Sequence, residues 1–484
     1  MARAEAVMGT TTEAPGAAGK ARGGGTVDTD VLVVGGGIAG LSAAIDLADQ
    51  GHRVLLVERE PSIGGKMIGL SKVFPTMDCS SCITTPRMSA AAHHENITIL
   101  THTDVESIVP VTGGFEAALT SRPTYVDEDL CIGCRLCEYA CPVDIPHEFE
   151  GNMGARRAAY IPFNTAIPQK AVIDLDNCVL CGRCEKACPT DAIDWLQEPR
   201  AVQVRARAAL LATGYRTTPL EAKKEYLGGR AANVVGGLDM ERLLAPNGPY
   251  NRVLRPSDGK VPESVAYVQC AGSRDETLGV PYCSRVCCMY AVKQSMLLSG
   301  ALPLADVTVY YMDIRAFGKG YEQFFQAAQA MGVSFVKAKV ARIAELPDGD
   351  LALRVERMEE DGRVDEAVHD LVVLSVGVRP GDEASRFAPV ELDRYGFVRS
   401  VEPKLDVTLT SVPGIFAAGT AIGPKDIVDT VVEASAAATR VAQYLGGFAA
   451  EPARGRRPAV TVEVREMGPA ELQAAGVLAE VHDA

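Results

Sequence analysis

The sequence predicts an α/β chain built from two dinucleotide-type units, the first of them interrupted by a small cysteine-rich domain. Three observations carry this expectation. A continuous apolar run, Thr29–Val34, leads into Gly35–Gly37 and then into helically spaced residues, Ala39–Leu47; this is how a βαβ unit opens. A second strand-led series starts at Val265 and continues through Val307–Tyr311 and the helically spaced segment Tyr321–Met331. Between the two, eight of the 14 cysteines fall within Cys131–Cys188.

In chain order, residues 1–28 have the composition of a disordered arm. The first unit is expected to begin at 29–121, with strands at Thr29–Val34 and Val54–Val57 and a meander at Val105–Val111 and Phe115–Thr120. The cysteine-rich block 122–200 is inserted into that meander, which resumes at Val202–Leu211. Residues 201–264 are read as the second part of the first unit and 265–375 as the second unit, with a hairpin at Leu351–Glu356 and a last strand at Leu371–Val376. Residues 376–450 return to the first unit and end in an Ala-rich helix, Val428–Leu445; 451–484 are a polar tail.

At 484 residues the chain has room for about three domains of ~150 residues. An apolar content of 47% allows a sizeable core, and 62 acidic against 48 basic residues give a net charge of −14. That balance argues against nucleic-acid or anionic-lipid partners. No apolar stretch reaches the ~20 residues of a membrane span, and the N-terminus has no signal-peptide core, so a cytoplasmic location is expected. Clustered cysteines in such a chain read as metal ligands or redox groups, not as structural bridges.

Gly35-Gly36-Gly37-Ile38-Ala39-Gly40 satisfies G-x-G-x-x-G between strand and helix, with Glu58-Arg59 closing the second strand 23 residues after Gly35. Gly35 serves the tight turn, Gly37 the approach of a pyrophosphate to the backbone, and Gly40 close helix–strand packing. The helix N-terminus then meets the phosphates, and Glu58 accepts from a ribose hydroxyl. A purely structural glycine turn is the competing reading. Gly64-Gly65-Lys66, Thr213-Gly214 and Gly419-Thr420 follow in an order that resembles the FAD domain of two-dinucleotide flavoproteins similar to thioredoxin reductase. The resemblance implies FAD along these residues. It also implies an acid after the last glycine, where this chain has Thr420. Such flavoproteins carry a second glycine motif for NAD(P)H; here the position reads Val268-Gln269-Cys270-Ala271-Gly272-Ser273-Arg274-Asp275, so no pyridine nucleotide is expected there.

Cys131-x2-Cys134-x2-Cys137-x3-Cys141-Pro142 and Cys178-x2-Cys181-x2-Cys184-x3-Cys188-Pro189 are two copies of the bacterial ferredoxin run. The fourth cysteine of each run ligates the other cluster, which predicts [4Fe–4S] sets of Cys131, Cys134, Cys137 with Cys188 and of Cys178, Cys181, Cys184 with Cys141. Zinc, the alternative for C-x2-C pairs, usually takes two pairs rather than quartets ending in proline. The 36 residues between the quartets exceed a compact linker, so an extra loop is expected. Cys270, Cys283, Cys287 and Cys288 fit either a third cluster or buried apolar thiols plus a vicinal pair. Cys79-x2-Cys82 is a redox dithiol, half of a cluster site or a structural pair, and His93-His94 a surface pair.

Together the segments GGGIAGLSAAIDLADQGHRVLLVERE, FPTMDCSSCITTP, VQCAGSRD, YCSRVCCMYAVKQ and AGTAIGPKDIVDTVVEASAAA, with the ferredoxin insert, resemble the A subunit of heterodisulfide reductase over roughly residues 30–445. The resemblance implies a third cluster on Cys270, Cys283, Cys287 and Cys288, and accepts Thr420 as normal. It also implies that Lys293 lies near the flavin N5 edge, where its charge favours an anionic reduced flavin. FAD moves electrons in pairs and each cluster singly, so the implied function is conversion between the two, in some members by flavin-based bifurcation. The implied partners are B- and C-like subunits and an electron-donor subunit or ferredoxin; a homodimer is usual for this flavoprotein type. The sequence lacks the disulfide-reducing cysteine repeats of the B subunit, so the terminal substrate site is expected elsewhere. Long archaeal members carry further cluster domains at both ends, so this chain is expected to be a short form whose Cys79 and Cys82 lack a completing domain. The rival readings are a self-contained NAD(P)H-linked oxidoreductase and a non-redox scaffold.

Overall fold

A computed structural model describes residues 26–381 and 384–447. The expected tail at 451–484 and residues 1–25 of the expected arm lie outside these. Residues 26–28 do not belong to an arm: the first strand already begins at Thr26 and pairs with Gln203 of a parallel neighbour.

The first sheet runs 97–100, 54–57, 26–34, 200–211, 114–121, 103–111 in space, and Ile415–Ala417 pairs beside the end of Arg200–Leu211. The first four strands are parallel and the 103–121 hairpin is antiparallel. Val54–Val57 and Val31–Val34 are buried at every position, as strands covered on both faces must be. One face is covered by the helices Ile38–Asp49 and Ile427–Leu445, which approach closely because Ala43, Ala44, Ala434, Ala437 and Ala438 are small and fully buried between them.

The second sheet runs 234–236, 371–376, 264–271, 306–311, 334–345, 351–357, 364–369. Its parallel core passes into an antiparallel meander within the strand Ser334–Glu345. This sheet corrects the expected boundary at 264/265. Val234–Gly236 pairs in parallel with Val372–Leu374, and the helix Gly237–Leu244 packs beneath it, so the second unit begins before Val234. A three-residue edge strand has too little pattern to be read alone. The antiparallel pair Tyr215–Thr217 and Val378–Pro380 carries both chain crossings between the units.

The insert follows Gly114–Ser121 and ends at Arg200–Leu211, adjacent antiparallel strands of the first sheet. It repeats itself. The short helices Leu136–Ala140 and Arg183–Ala187 start after left-handed residues, Arg135 and Gly182, and end at Cys141 and Cys188. Their shared core holds Val126, Ile161, Ile173 and the thiols of Cys131, Cys137 and Cys184. Among the described residues no helix is long and apolar enough to cross a membrane.

Candidate functional site

A cavity of about 1310 Å³ opens at the carboxyl ends of the first sheet's parallel strands. Gly35 turns the chain at φ +108°, and a Cβ there would lie 2.3 Å from the Ala212 oxygen. At Gly40 a Cβ would lie 1.8 Å from the Gly35 oxygen, so helix and turn touch only because no side chain intervenes. Gly37 differs: its nearest neighbour would be 3.8 Å away, ordinary contact distance, and the position faces the cavity. The protein alone would tolerate a side chain at Gly37, so the space beside it is open to a ligand. Gly37 also caps the helix Ile38–Asp49 without a side-chain hydrogen bond, which leaves first-turn N–H groups for an anion.

Glu58 accepts from the Gly36 N–H at 2.6 Å and the Glu60 N–H at 2.9 Å. Burial raises its pKa, against both hydrogen bonds. Of the residues expected at the cofactor, Gly35, Gly37, Glu58, Arg59, Gly65, Lys66, Thr213, Gly214 and Thr420 line the cavity, as does Lys293. Gly36, Gly40, Gly64 and Gly419 stand behind the wall: Gly64 donates to the Gly36 oxygen at 2.9 Å, and Gly419 donates to Glu433 Oε1 at 2.8 Å. The turn, the open cradle at Gly37 and the unpartnered helix end fit a dinucleotide.

Lys293 is 1% exposed and donates to the Lys72 oxygen at 2.8 Å and to Glu241 Oε1. Burial lowers its pKa while Glu241 opposes the shift. Glu241 also accepts from Gln294 Nε2 at 2.5 Å, from the Ser71 N–H at 3.0 Å and from Ser71 Oγ at 2.7 Å. The lysine charge is therefore carried as a buried pair. Glu241 could not be picked out beforehand, because nothing in a sequence marks an acid as buried. The extra loop between the cysteine quartets reaches the cavity too. His147, Phe149, Arg156, Tyr160 and Phe163 line it, and Glu150 pairs with Arg242 of the second unit at 3.0 Å. The loop's length was legible; its destination was not.

The thiols gather in three places. A second, small cavity is lined by Cys131, Cys134, Cys137 and Cys188. Burial pushes Cys137 up to about 12, with Cys131 and Cys134 adding to the shift; burial also raises Cys184, with Cys178 and Cys141 as its thiol neighbours. Cys270, Cys283, Cys287 and Cys288 meet where the second sheet's parallel strands end. Cys287 Sγ lies 3.5 Å from the Val376 oxygen and Cys288 Sγ 3.8 Å from the Asp313 oxygen. Burial raises Cys270 and Cys287 and pushes Cys288 up to about 11. Buried thiols of this kind give up protons to a metal, not to water. The adjacent pair opens the helix Cys287–Ala301, the position at which a dinucleotide domain receives a pyrophosphate. Among the described residues, no three His, Cys, Asp or Glu side chains close on a single-ion position. A cubane spreads its four thiolates over a larger body and does not ask for that.

Cys79 and Cys82 lie apart, exposed at the start of the helix Ser80–His93. The Cys82 thiol and the Cys82 N–H, 3.4 Å from Cys79 Sγ, lower the pKa of Cys79, while the hydrogen bond and charge of Cys79 raise that of Cys82. In the folded, cluster-loaded protein Cys79 is expected to react first with a thiol reagent near neutral pH. Peptide mapping after brief labelling checks this, and earlier labelling of Cys82 would contradict it. His93 is exposed and bonds the Ser89 oxygen at 2.8 Å, while half-buried His94 faces Asp49 at 3.3 Å.

Three family models match the chain: FAD dependent oxidoreductase over residues 30–84, 4Fe-4S dicluster domain over 121–193, and Pyridine nucleotide-disulphide oxidoreductase over 291–438. The second of two iron-sulfur A subunits of the CoB–CoM heterodisulfide reductase of Methanopyrus kandleri is 46% identical over 439 residues, which cover 88% of this chain and 67% of that protein. This chain belongs to the family of heterodisulfide reductase A subunits. The A subunit of the H2:CoB-CoM heterodisulfide,ferredoxin reductase of Methanothermobacter marburgensis is 43% identical over 422 residues. That of the H2/formate:CoB-CoM heterodisulfide,ferredoxin reductase of Methanococcus maripaludis is 46% identical over 422. Each match covers 86% of this chain and 64% of the relative, so the chain spans about two-thirds of the length of these heterodisulfide reductase A subunits. The matched domains are those of an oxidoreductase carrying FAD and [4Fe–4S] clusters, on the two-unit α/β fold with a dicluster insert that the sequence predicts.

Proposed function

We propose that this chain is the electron-transfer subunit of a heterodisulfide-reductase-like complex in the cytoplasm, converting between paired and single electrons. The observation that carries the reading is one cavity walled by both α/β units and by the cysteine-rich insert. FAD supplies two-electron chemistry and [4Fe–4S] clusters one-electron transfer when bound. In this reading the first-turn N–H groups of Ile38–Asp49, with Gly35, Gly36, Gly37 and Gly40 shaping the turn, hold the pyrophosphate. Glu58, oriented by two backbone N–H groups, takes a ribose hydroxyl, with Arg59 beside it. Gly64, Gly65, Lys66, Thr213, Gly214, Gly419 and Thr420 follow the rest of the cofactor, and Lys293 sets the charge at its reactive end. The insert's loop excludes water on the side facing the clusters.

Three clusters belong to this reading: Cys131, Cys134, Cys137 with Cys188; Cys178, Cys181, Cys184 with Cys141; and Cys270, Cys283, Cys287 with Cys288. The partners are B- and C-like subunits that reduce the terminal acceptor, and a donor subunit or ferredoxin. Division of each electron pair between a high- and a low-potential route is the finer form of the proposal, and it needs partners on both routes. A self-contained NAD(P)H-linked oxidoreductase is the second reading, favoured by the pyridine nucleotide-disulphide match. Against it, Cys287 and Cys288 stand where that nucleotide's pyrophosphate would go.

Anaerobic titration of the purified chain, with iron and flavin analysis and electron paramagnetic resonance, tests both. One FAD and spins for about three clusters per chain are expected, with no rapid flavin bleaching by NADH. Spins for only two clusters would remove the Cys270 set, and bleaching by NADH without partners would favour the second reading.

A further inference from the structure

Lys293 is not the only buried cation that lines the cavity. Lys425 lies between the turn Gly419–Ala421 and the helix Ile427–Leu445, lines the cavity, and has a side chain only 8% exposed. Its Nζ donates to both carboxylate oxygens of Glu433 at 2.6 Å, and Glu433 Oε1 accepts in addition from the Gly419 N–H at 2.8 Å. The carboxylate is thus fixed behind the wall and clamps the ammonium from behind. Two of the three N–H donors are engaged there, which leaves the third for a ligand.

The end of the cavity this serves is marked by its neighbours. Arg285 donates to the Pro424 oxygen at 3.4 Å and to Asp429 Oδ2 at 2.9 Å, and Tyr321 donates to Asp426 Oδ2 at 2.6 Å. Arg285 and Tyr321 belong to the second unit, and Arg285 directly precedes Val286, which lines the cavity as Tyr290 and Lys293 of the following helix do. The loop carrying Lys425 is therefore docked on the second unit, whereas the phosphate-accepting turn at Gly35–Gly37 belongs to the first. Gly419, which donates to Glu433, lies against Ala39 in the first turn of the helix Ile38–Asp49, where a Cβ would come within 2.8 Å of the Ala39 Cβ. The Lys425–Glu433 pair therefore stands between the phosphate-accepting turn and the second unit, along the path of a dinucleotide running from one to the other.

We propose that Lys425, clamped by Glu433, is a positioning cation that sets the reduction potential of the flavin by favouring its reduced, more electron-rich form. The proposal rests on the FAD reading above. It also answers how a chain with Thr420 in place of an acid controls charge here: a lysine–glutamate pair from the following loop and helix stands beside that position.

The test uses the full chain with clusters loaded, comparing Lys425→Met, Lys425→Arg and Glu433→Gln by spectroelectrochemical titration of the flavin and by FAD content. In Lys425→Met the reduced flavin is expected to lose about tenfold more affinity than the oxidised flavin. For a two-electron couple this lowers the potential by about 30 mV. Glu433→Gln, which leaves the ammonium unbalanced, is expected to move the potential the opposite way, and Lys425→Arg to stay near wild type. Opposite signs in Lys425→Met and Glu433→Gln cannot come from loosened packing alone. Equal loss of oxidised and reduced flavin with an unchanged potential would overturn the proposal and make Lys425 a phosphate contact. Shifts of the same sign would make the pair structural. A wild-type chain that takes up no FAD would instead sink the flavin reading itself.

Discussion

Glu241→Ala is expected to cost about 3–5 kcal/mol of stability, the range for removing one partner of a buried ion pair. Glu241 joins three segments that are distant in sequence: its own helix Gly237–Leu244, the helix Cys287–Ala301 through Lys293 and Gln294, and the loop at Ser71. Its side chain and that of Lys293 are each 2% exposed. Truncation leaves an ammonium with no counter-charge and takes the carboxylate acceptor from three further donors, Gln294 Nε2, the Ser71 N–H and Ser71 Oγ. Denaturant unfolding under anaerobic conditions measures the loss, and pH supplies a check on its cause. Burial already holds the Lys293 pKa below its ordinary value, and without Glu241 it falls further. The folded state then binds fewer protons than the unfolded state, so stability rises with pH from the folded pKa up to the unfolded value near ~10.4. The deficit of Glu241→Ala is therefore expected to shrink as pH rises from the variant's folded pKa to the wild type's, and to level off above it, where both proteins gain stability in parallel. Glu241→Leu combined with Lys293→Met is expected to recover most of the loss, because replacing both members of a buried pair is close to neutral. A double variant as unstable as the single would show that packing, and not the orphaned charge, carries the effect.

The first unit was legible because its signals are local. Val31–Val34 and Val54–Val57 are apolar at every position, and each glycine of the turn has a distinct steric duty within a few residues of its neighbours. The helix Ser80–His93 was not, since Thr84, Thr85 and Pro86 argue against helix in any local reading. Tertiary contacts hold it instead: Ser80 Oγ bonds the Met67 oxygen at 2.6 Å, and Met88 and Ala91 are fully buried. At the site, spacing grouped the two quartets in Cys131–Cys188, because cluster ligation constrains short intervals, and left the Cys270 set open. The groups acting at long range, Glu241, Lys425 and the insert's loop from His147 to Phe163, carry no such interval. Their role depends on which segments the two sheets bring to one cavity, and that is a property of topology.

The ligand exchange between the two quartets makes the second large prediction. Cys188 belongs by sequence with Cys178, Cys181 and Cys184, yet it lines the same small cavity as Cys131, Cys134 and Cys137. There the Ala192 N–H approaches its sulfur at 3.3 Å and Thr190 Oγ1 stands 3.7 Å away, donors suited to a thiolate. Cys141 in turn neighbours Cys184. Cys188→Ala is therefore expected to remove the cluster of the first quartet, about four of about twelve irons per chain, and to leave the second quartet's signal in place. Cys141→Ala is expected to do the converse. Pairing the spectra decides the matter: Cys188→Ala should match Cys131→Ala, and Cys141→Ala should match Cys178→Ala, in the electron paramagnetic resonance of the reduced protein. If Cys188→Ala instead matched Cys178→Ala, each quartet would hold its own cluster. The two short helices, which end at Cys141 and Cys188, would then have to turn their last thiols back on their own loops.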